Sequence, residues 1–297
     1  MKYLANPYRL FLFHSGSGRH NNMSDEKYLR KAYRAIFGKK LNLDDPKTFN
    51  EKIQWLKLYD RKPIYTTMVD KCEAKKYVAA IIGEEHIIPT LGVWDRFEDI
   101  DFDALPGQFV LKTTHDSGGI VICRDKKTFD KEKARQKIEL SLKKEYFYLW
   151  REWPYKDVKP RIIAEEYMED AKTAELRDYK FYCFGGAAKV LLVASERQKQ
   201  NGGVKFDFFD MEFKHLDLRK GHGYAAVCPE KPENFEKMQQ FAEKLSQDIP
   251  FLRVDFYEVN GKVYFGELTF SPSAGMVPFE PKEWDDILGS WIELPMK

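Results

Sequence analysis

The sequence predicts an α+β fold with antiparallel sheets, and three observations carry that prediction. Residues 109–123, 178–195 and 252–270 each read as two strand-like runs joined by a glycine-bearing turn or loop, the pattern of a β-hairpin. Residues 24–37, 48–58 and 230–247 place apolar side chains at helical spacing. Strands and helices do not alternate in a repeating βαβ order, so an all-parallel sheet is not indicated.

Composition narrows the class further. A chain of 297 residues with 43% apolar content is long enough for one large or two to three small domains. The longest apolar runs, such as Val190 to Ala194, are far too short for a bilayer span, and no signal-peptide cleavage pattern follows Met1-Lys2. Cys72, Cys123, Cys183 and Cys228 lie far apart without a Cys-x-x-Cys pair, so neither zinc nor a disulfide framework is expected. No His-Glu-x-x-His or Gly-x-Ser-x-Gly motif is present. These features together predict a cytoplasmic protein. Residues 1–66 carry 14 Lys/Arg against 6 Asp/Glu, although the net charge of the whole chain is only +2. With no nucleic-acid motif, that basic region suits an anionic carrier, an acidic polymer or peripheral contact with the inner face of a membrane.

In chain order, residues 1–23 end in a Gly/Ser/Asn-rich stretch that reads as a flexible extension. Ser24 reads as the N-cap of a helix that Gly38 stops, and Thr48 with Glu51 as a capping box for the next. A third helix is expected over 70–82, with Lys71 in its first turn, where a cation opposes the helix dipole and an anionic ligand would relieve it. Lys112 interrupts the apolar strand before Thr113 to Gly119, a loop able to offer backbone N–H groups and hydroxyls to a phosphate. It is not a P-loop. A charged helix over 131–145 leads to the aromatic run 146–155, expected to be mostly packing. Glu165 and Glu166 end the next strand, and Asp178 and Lys180 share one face of the hairpin after it. Arg197 stands at that hairpin's exit, a strand is embedded near 205–209, and the helix over 230–247 buries Phe235, Met238, Phe241, Ala242 and Leu245.

The hairpin Leu252 to Phe270 carries charge where a core hairpin carries apolar groups. Arg253, Asp255, Glu267 and Thr269 fall on alternate positions. A two-residue Asn260-Gly261 loop would set Glu267 opposite Val254, among apolar side chains. A three-residue loop, Val259 to Gly261 with a bulge at Gly261, would pair Arg253 with Glu267 and gather the polar groups on one face. We therefore expect the three-residue loop. Two carboxylates about 4 Å apart repel by roughly 4 kcal/mol at an effective dielectric near 20. Either Arg253 offsets this as a salt-bridged triad, or Mg²⁺ does, since it takes oxygen ligands from one or two carboxylates.

The order of these features, a strand lysine before a glycine loop, a double-Glu strand, Asp-x-Lys, then Arg-x-Asp and Glu-x-Thr, resembles the ATP-grasp superfamily. Residues 48–61, 115–123 (HDSGGIVIC), 151–155 (REWPY), 164–170 (AEEYMED), 266–270 (GELTF) and 288–292 resemble its TupA-like branch, associated with teichuronopeptide, capsule and related surface-polysaccharide synthesis. The resemblance implies two α+β lobes clamping ATP: the extension 1–23, an N-terminal helical or substrate lobe over 24–105, a central subdomain with a glycine-bearing lid over 106–168, and a C-terminal lobe with the metal hairpin over 169–297. It implies that Lys71 and Lys112 hold ATP phosphates beneath a lid containing Ser117, Gly118 and Gly119. Glu165, Glu166, Tyr167 and Met168 would receive adenine, with Asp178 and Lys180 near ribose and phosphate. Asp255 and Glu267 would hold Mg²⁺, and Arg253 would stand beside the reacting acyl phosphate. Many members have Asn where this chain has Thr269, whose hydroxyl can coordinate directly or through water.

The reaction implied needs no protein nucleophile. A substrate carboxylate attacks the γ-phosphate of ATP, and an amine displaces phosphate from the resulting acyl phosphate. The expected substrates are a uronic-acid-bearing saccharide precursor, free or carrier-linked, and an amino acid or amine, with Arg197 and His115 as candidate contacts. No obligate protein partner is expected. The alternatives are an ATP-grasp kinase, a carbohydrate-binding module using the aromatic run, and a glycosyltransferase whose one local support is Asp101-Phe102-Asp103.

Overall fold

The computed structural model describes residues 11–12, 14–172, 176–196 and 203–296. Among these, ten strands form two antiparallel sheets. The smaller sheet has the order β1 (Thr90–Trp94), β4 (Ile162–Glu166), β2 (Phe109–Thr113), β3 (Ile120–Cys123). The larger has the order β10 (Lys262–Thr269), β9 (Phe251–Val259), β5 (Asp178–Phe184), β6 (Ala187–Ser195), β7 (Lys205–Phe209), β8 (His215–Leu216). Because β1 pairs with β4, the smaller sheet crosses the boundary expected at 105/106.

Local signals set the helices. Ser24 precedes α1 (Asp25–Phe37) without a side-chain cap bond, and Gly38 ends it in the left-handed region at φ 70°. Thr48 and Glu51 form the expected capping box at α2 (Phe49–Tyr59). Replacing Thr48 with Ala should cost about 1 kcal/mol, measurable as a shifted urea-unfolding midpoint at unchanged slope. After α3 (Ile64–Val69), α4 covers Glu73–Ile82 and starts later than expected. The Asp70 carboxylate accepts from the N–H groups of Cys72 and Glu73 at 2.8 and 3.4 Å, so Lys71 lies ahead of the helix rather than in it. The remaining helices are α5 (Lys131–Leu142), α6 (Tyr146–Trp150), α7 (Phe235–Leu245) and α8 (Glu283–Ser290). Both α5 and α7 are shorter than expected, but α7 buries the stripe anticipated for it.

One face of the larger sheet packs Phe181, Val254, Phe256 and Leu268 on α4 and α7. Part of the other face, Tyr182, Phe184, Leu192 and Phe208, is covered by Phe49 and Ile53 of α2 and Leu288 of α8. The remainder of that face is open and polar. The smaller sheet buries Phe109, Leu111, Ile162 and Ala164 against Ala134 and Ile138 of α5. Within 1–23, the described part packs rather than trailing away: Phe11 lies 5.2 Å from the Tyr28 ring, and Arg151 donates to the His20 carbonyl at 2.6 Å. Residues 1–10 lie outside the described residues.

Candidate functional site

The open polar face begins at the β9–β10 hairpin. Val259 pairs with Lys262, so the loop is the two-residue Asn260-Gly261 with φ of 50° and 74°, not the expected three-residue loop. The register shift occurs instead at Gly266, between Phe265 and Glu267. A Cβ at Gly266 would stand 3.0 Å from the Asp255 carbonyl oxygen, so glycine suits that close approach. The bulge brings Glu267 opposite Asp255 and Thr269 opposite Arg253. The four polar residues share one face as expected, by a different device.

Strand β5 extends this arrangement, because Lys180 pairs with Asp255 across the β5–β9 ladder. A row Lys180, Asp255, Glu267 therefore crosses three adjacent strands. Arg253 donates to both Asp255 oxygens at 2.7 Å and to Glu267 Oε1 at 2.5 Å. Lys180 donates to Asp255 and, at 3.1 Å, to Asp178. Asp255 is fully buried, whereas the Glu267 side chain keeps 45% of its exposure. Burial raises the Asp255 pKa against the pull of Arg253 and Lys180. For Glu267, Arg253, Lys180 and Lys71 outweigh desolvation and bring the pKa down to about 2. The salt-bridged arrangement is thus present.

The same residues also suit a metal. The donor set is hard oxygen, and the hydrogen bonds from Arg253 and Thr269 both go to Glu267 Oε1. Thr269 points its hydroxyl at Glu267 Oε1, 3.4 Å away. Glu267 could therefore reach Mg²⁺ directly, while Asp255 could do so once Arg253 Nε releases Oδ1.

A cleft of about 560 Å³ joins this hairpin to the smaller sheet. Lys71, Lys112, Asp116 and Ser117 line it together with Asp178, Lys180, Arg253, Glu267 and Thr269. A larger cavity of about 700 Å³ lies between β3 and α5 but is lined by none of the candidate ATP, metal or substrate residues.

Glu165, expected to help receive adenine, has its side chain turned inward. It is 4% exposed and joins Lys75 at 2.6 Å to Lys112 at 2.5 Å. Burial alone would raise its pKa; Lys112 and then Lys75 reverse this, to about 2. Two lysines thus share one carboxylate, and with Lys71 nearby this end of the cleft has surplus positive charge, suited to an anion. Glu166 is exposed at the end of β4, Tyr167 bonds to Glu169, and neither they nor Met168 line the cleft.

The loop after β2 is pinned. Asp116 accepts from the hydroxyls of Thr113 and Ser141, and the Asp116 carbonyl accepts from Lys71. Thr114 donates to the Lys159 carbonyl at 3.1 Å. Thr113 and Thr114 are therefore turned into the fold, leaving Ser117 as the loop hydroxyl on the cleft. Gly118 has φ 109° and is exposed, while Gly119 is buried beneath the loop. A Cβ at Gly119 would come within 1.9 Å of Thr113 Oγ1 and 2.2 Å of Ser141 Oγ. Gly119→Ala should destabilise the fold by about 1–3 kcal/mol, read as a lower thermal midpoint. His115 is 3% exposed with Nε2 3.2 Å from the Lys144 carbonyl, away from the cleft. Arg197 lies outside the described residues.

Several cleft residues escaped the sequence reading. Tyr146, Trp150, Glu152 and Tyr155 come from the run expected to be packing, and Ser271, Ser273 and Ala274 follow β10. Ser273, Ala274 and Gly275 have φ of 53°, 57° and 61°, a left-handed turn for which only Gly275 was a local signal. Asp101-Phe102-Asp103 is a turn, with Asp101 Oδ1 accepting from the N–H of Asp103 at 3.0 Å and Phe102 in the core.

The family model described as TupA-like ATPgrasp matches residues 51–293. No curated protein matches the sequence. Similar solved structures include the D-alanine–D-alanine ligase of Bacillus anthracis complexed with ATP, at 15% identity over 68% of this chain and 53% of that one, TM-score 0.39. The Helicobacter pylori D-alanine–D-alanine ligase matches at 14% identity over 82% and 69%, TM-score 0.40. The ATP-grasp ligase PsnB, complexed with a phosphomimetic variant of its minimal precursor, Mg and ADP, matches at 10% identity over 82% and 66%, TM-score 0.43. The chain thus spans little more than half of the Bacillus anthracis enzyme.

Proposed function

Because the chain belongs to the TupA-like ATP-grasp family, we propose that it is an ATP-dependent, ADP-forming carboxylate–amine ligase. The observation that carries this reading is one cleft bearing Lys71 and Lys112 on one side and Lys180, Arg253 and Glu267 on the other. Lys71, Lys112 and Ser117 would contact the phosphates of ATP, with Glu165 holding Lys112 in place. Glu267, with Asp255 and Thr269, would hold Mg²⁺, which when bound supplies charge neutralisation at the phosphates. Arg253, fixed by two carboxylates, is a cation directed at the cleft, and the chain's work is positioning and charge stabilisation. The two sheets are proposed as the two lobes of the clamp.

The proposed carboxylate is a uronic-acid-bearing saccharide, free or carrier-linked, and the proposed setting is cytoplasmic synthesis of surface polysaccharide. The TupA-like motifs support that choice, and the basic N-terminal region suits an anionic acceptor or a membrane surface. Among the described residues no helix is long and apolar enough to cross a membrane.

Incubation with Mg-ATP, uronic acids and amino acids tests the reading. ADP release that requires both co-substrates is expected. Release with a hydroxyl acceptor alone would make the chain a kinase, and turnover of a sugar nucleotide without ATP would make it a transferase.

A further inference from the structure

One wall of the cleft carries a buried carboxylate that accepts no hydrogen bond among the described residues. Glu152 is 6% exposed and lines the cleft, yet its carboxylate makes no hydrogen bond or ion pair among the described residues. Lys57 is the buried cation near it, but the Lys57 ammonium is committed elsewhere. Its three donors go to Gln54 Oε1 at 3.0 Å, the Trp150 carbonyl at 3.0 Å and the Ala274 carbonyl at 2.6 Å. Lys57 and Arg253 act on Glu152 through space without hydrogen-bonding it, and a buried carboxylate whose oxygens accept no hydrogen bond is unfavourable. A cationic group of a ligand seated against it removes that penalty.

Tyr146 and Tyr155 line the same cleft, with ring centroids 4.9 Å apart and planes at 71°. Neither phenol hydrogen-bonds elsewhere among the described residues. A carboxylate flanked by aromatic rings is the chemistry that recognises an ammonium ion. Glu267 adds a second negative charge near Glu152, beside the positive charges of Lys57 and Arg253.

We propose that Glu152, Tyr146 and Tyr155 form the subsite that binds the ammonium group of the amine co-substrate. The inference rests on the ligase reading and deepens it. The cleft is then bipolar: lysines receive phosphate at one end, and a carboxylate receives the amine at the other. Facing Glu152 are Lys57 from α2, Arg253 from β9 and Glu267 from β10. Burial raises the Glu152 pKa, Lys57 and Arg253 oppose this, and Glu267 adds to it. A bound ammonium favours the ionised form.

Saturation-transfer NMR on the full chain, with n-propylammonium chloride as probe and n-propanol as its neutral counterpart, reads the subsite without turnover. Wild type should bind propylammonium and not propanol. Glu152→Gln, which keeps the shape and removes the charge, should weaken binding at least tenfold, and Tyr146→Leu several-fold. A folded Glu152→Gln protein that binds like wild type would overturn the proposal, as would equal binding of the two probes or binding of neither. Should Glu152→Gln fail to fold, unchanged binding by Tyr146→Leu and Tyr155→Leu overturns it instead. Failure of the ligase reading shows separately: propylammonium binding survives while no carboxylate and amine together release ADP.

Discussion

Glu267→Gln is expected to lower ADP formation by about two to three orders of magnitude, the scale seen when a preorganised electrostatic contact to a reacting centre is removed. Its thermal midpoint should stay within about 2 °C of wild type. The two expectations separate because of where the carboxylates sit. Asp255 is fully buried and joined to both Arg253 and Lys180, so its replacement would damage the fold and obscure any effect on chemistry. Glu267 keeps 45% of its side-chain exposure, and Arg253 retains both bonds to Asp255 when Glu267 is neutral. Held at about 2 by its neighbours, Glu267 remains ionised throughout the pH range in which activity is measurable. Loss of ADP formation in the variant should therefore be the same at pH 6 and pH 8. Retained turnover would remove Glu267 from the metal site; an unfolded variant would show that the carboxylate is structural.

How much of this site could be read in the sequence depends on whether a feature is periodic or positional. Alternation alone put Arg253, Asp255, Glu267 and Thr269 on one face, and they share it. Alternation does not find the turn, because the shift that keeps them together lies at Gly266, which alternation treats as one more inward-facing position. Nor does parity say which strands are neighbours. Lys180 and Asp255 are opposite each other only because β5 pairs with β9, a long-range choice made by the packing of Phe181, Val254 and Phe256 against α7. In the double-Glu strand, charge pattern could not decide which side chain turned inward; Glu165 does, because lysines from β2 and α4 await it. Glu152 was invisible for a further reason. It follows Arg151, a left-handed residue at φ 56° enclosed by Tyr28 and Tyr148, and a chain that bends there has no period to read.

That inward Glu165 leads to the second large effect. Glu165→Gln should destabilise the protein by roughly 3 kcal/mol at pH 7, the lower end for breaking a buried ion pair from one side. Lys75 and Lys112 keep only 12% and 19% of their side-chain exposure and would be left facing each other. The cost has a pH signature. Glu165 has a folded pKa of about 2, below the roughly 4.3 of an unfolded glutamate, so the unfolded chain binds the proton more readily. Its contribution is complete above about pH 5 and is lost as pH falls through the folded value. Urea unfolding of wild type and variant should thus show a gap that is constant from pH 7 to 5 and closes towards pH 2. A gap that persisted at pH 2 would mean that Glu165 acts through shape rather than charge. At pH 7 the variant should also show about a tenfold higher KM for ATP, because Lys112 loses the carboxylate that holds it at the cleft. An unchanged KM alongside the stability loss would make the Lys75, Glu165 and Lys112 cluster a structural support and leave Lys71 with Ser117 as the phosphate contacts.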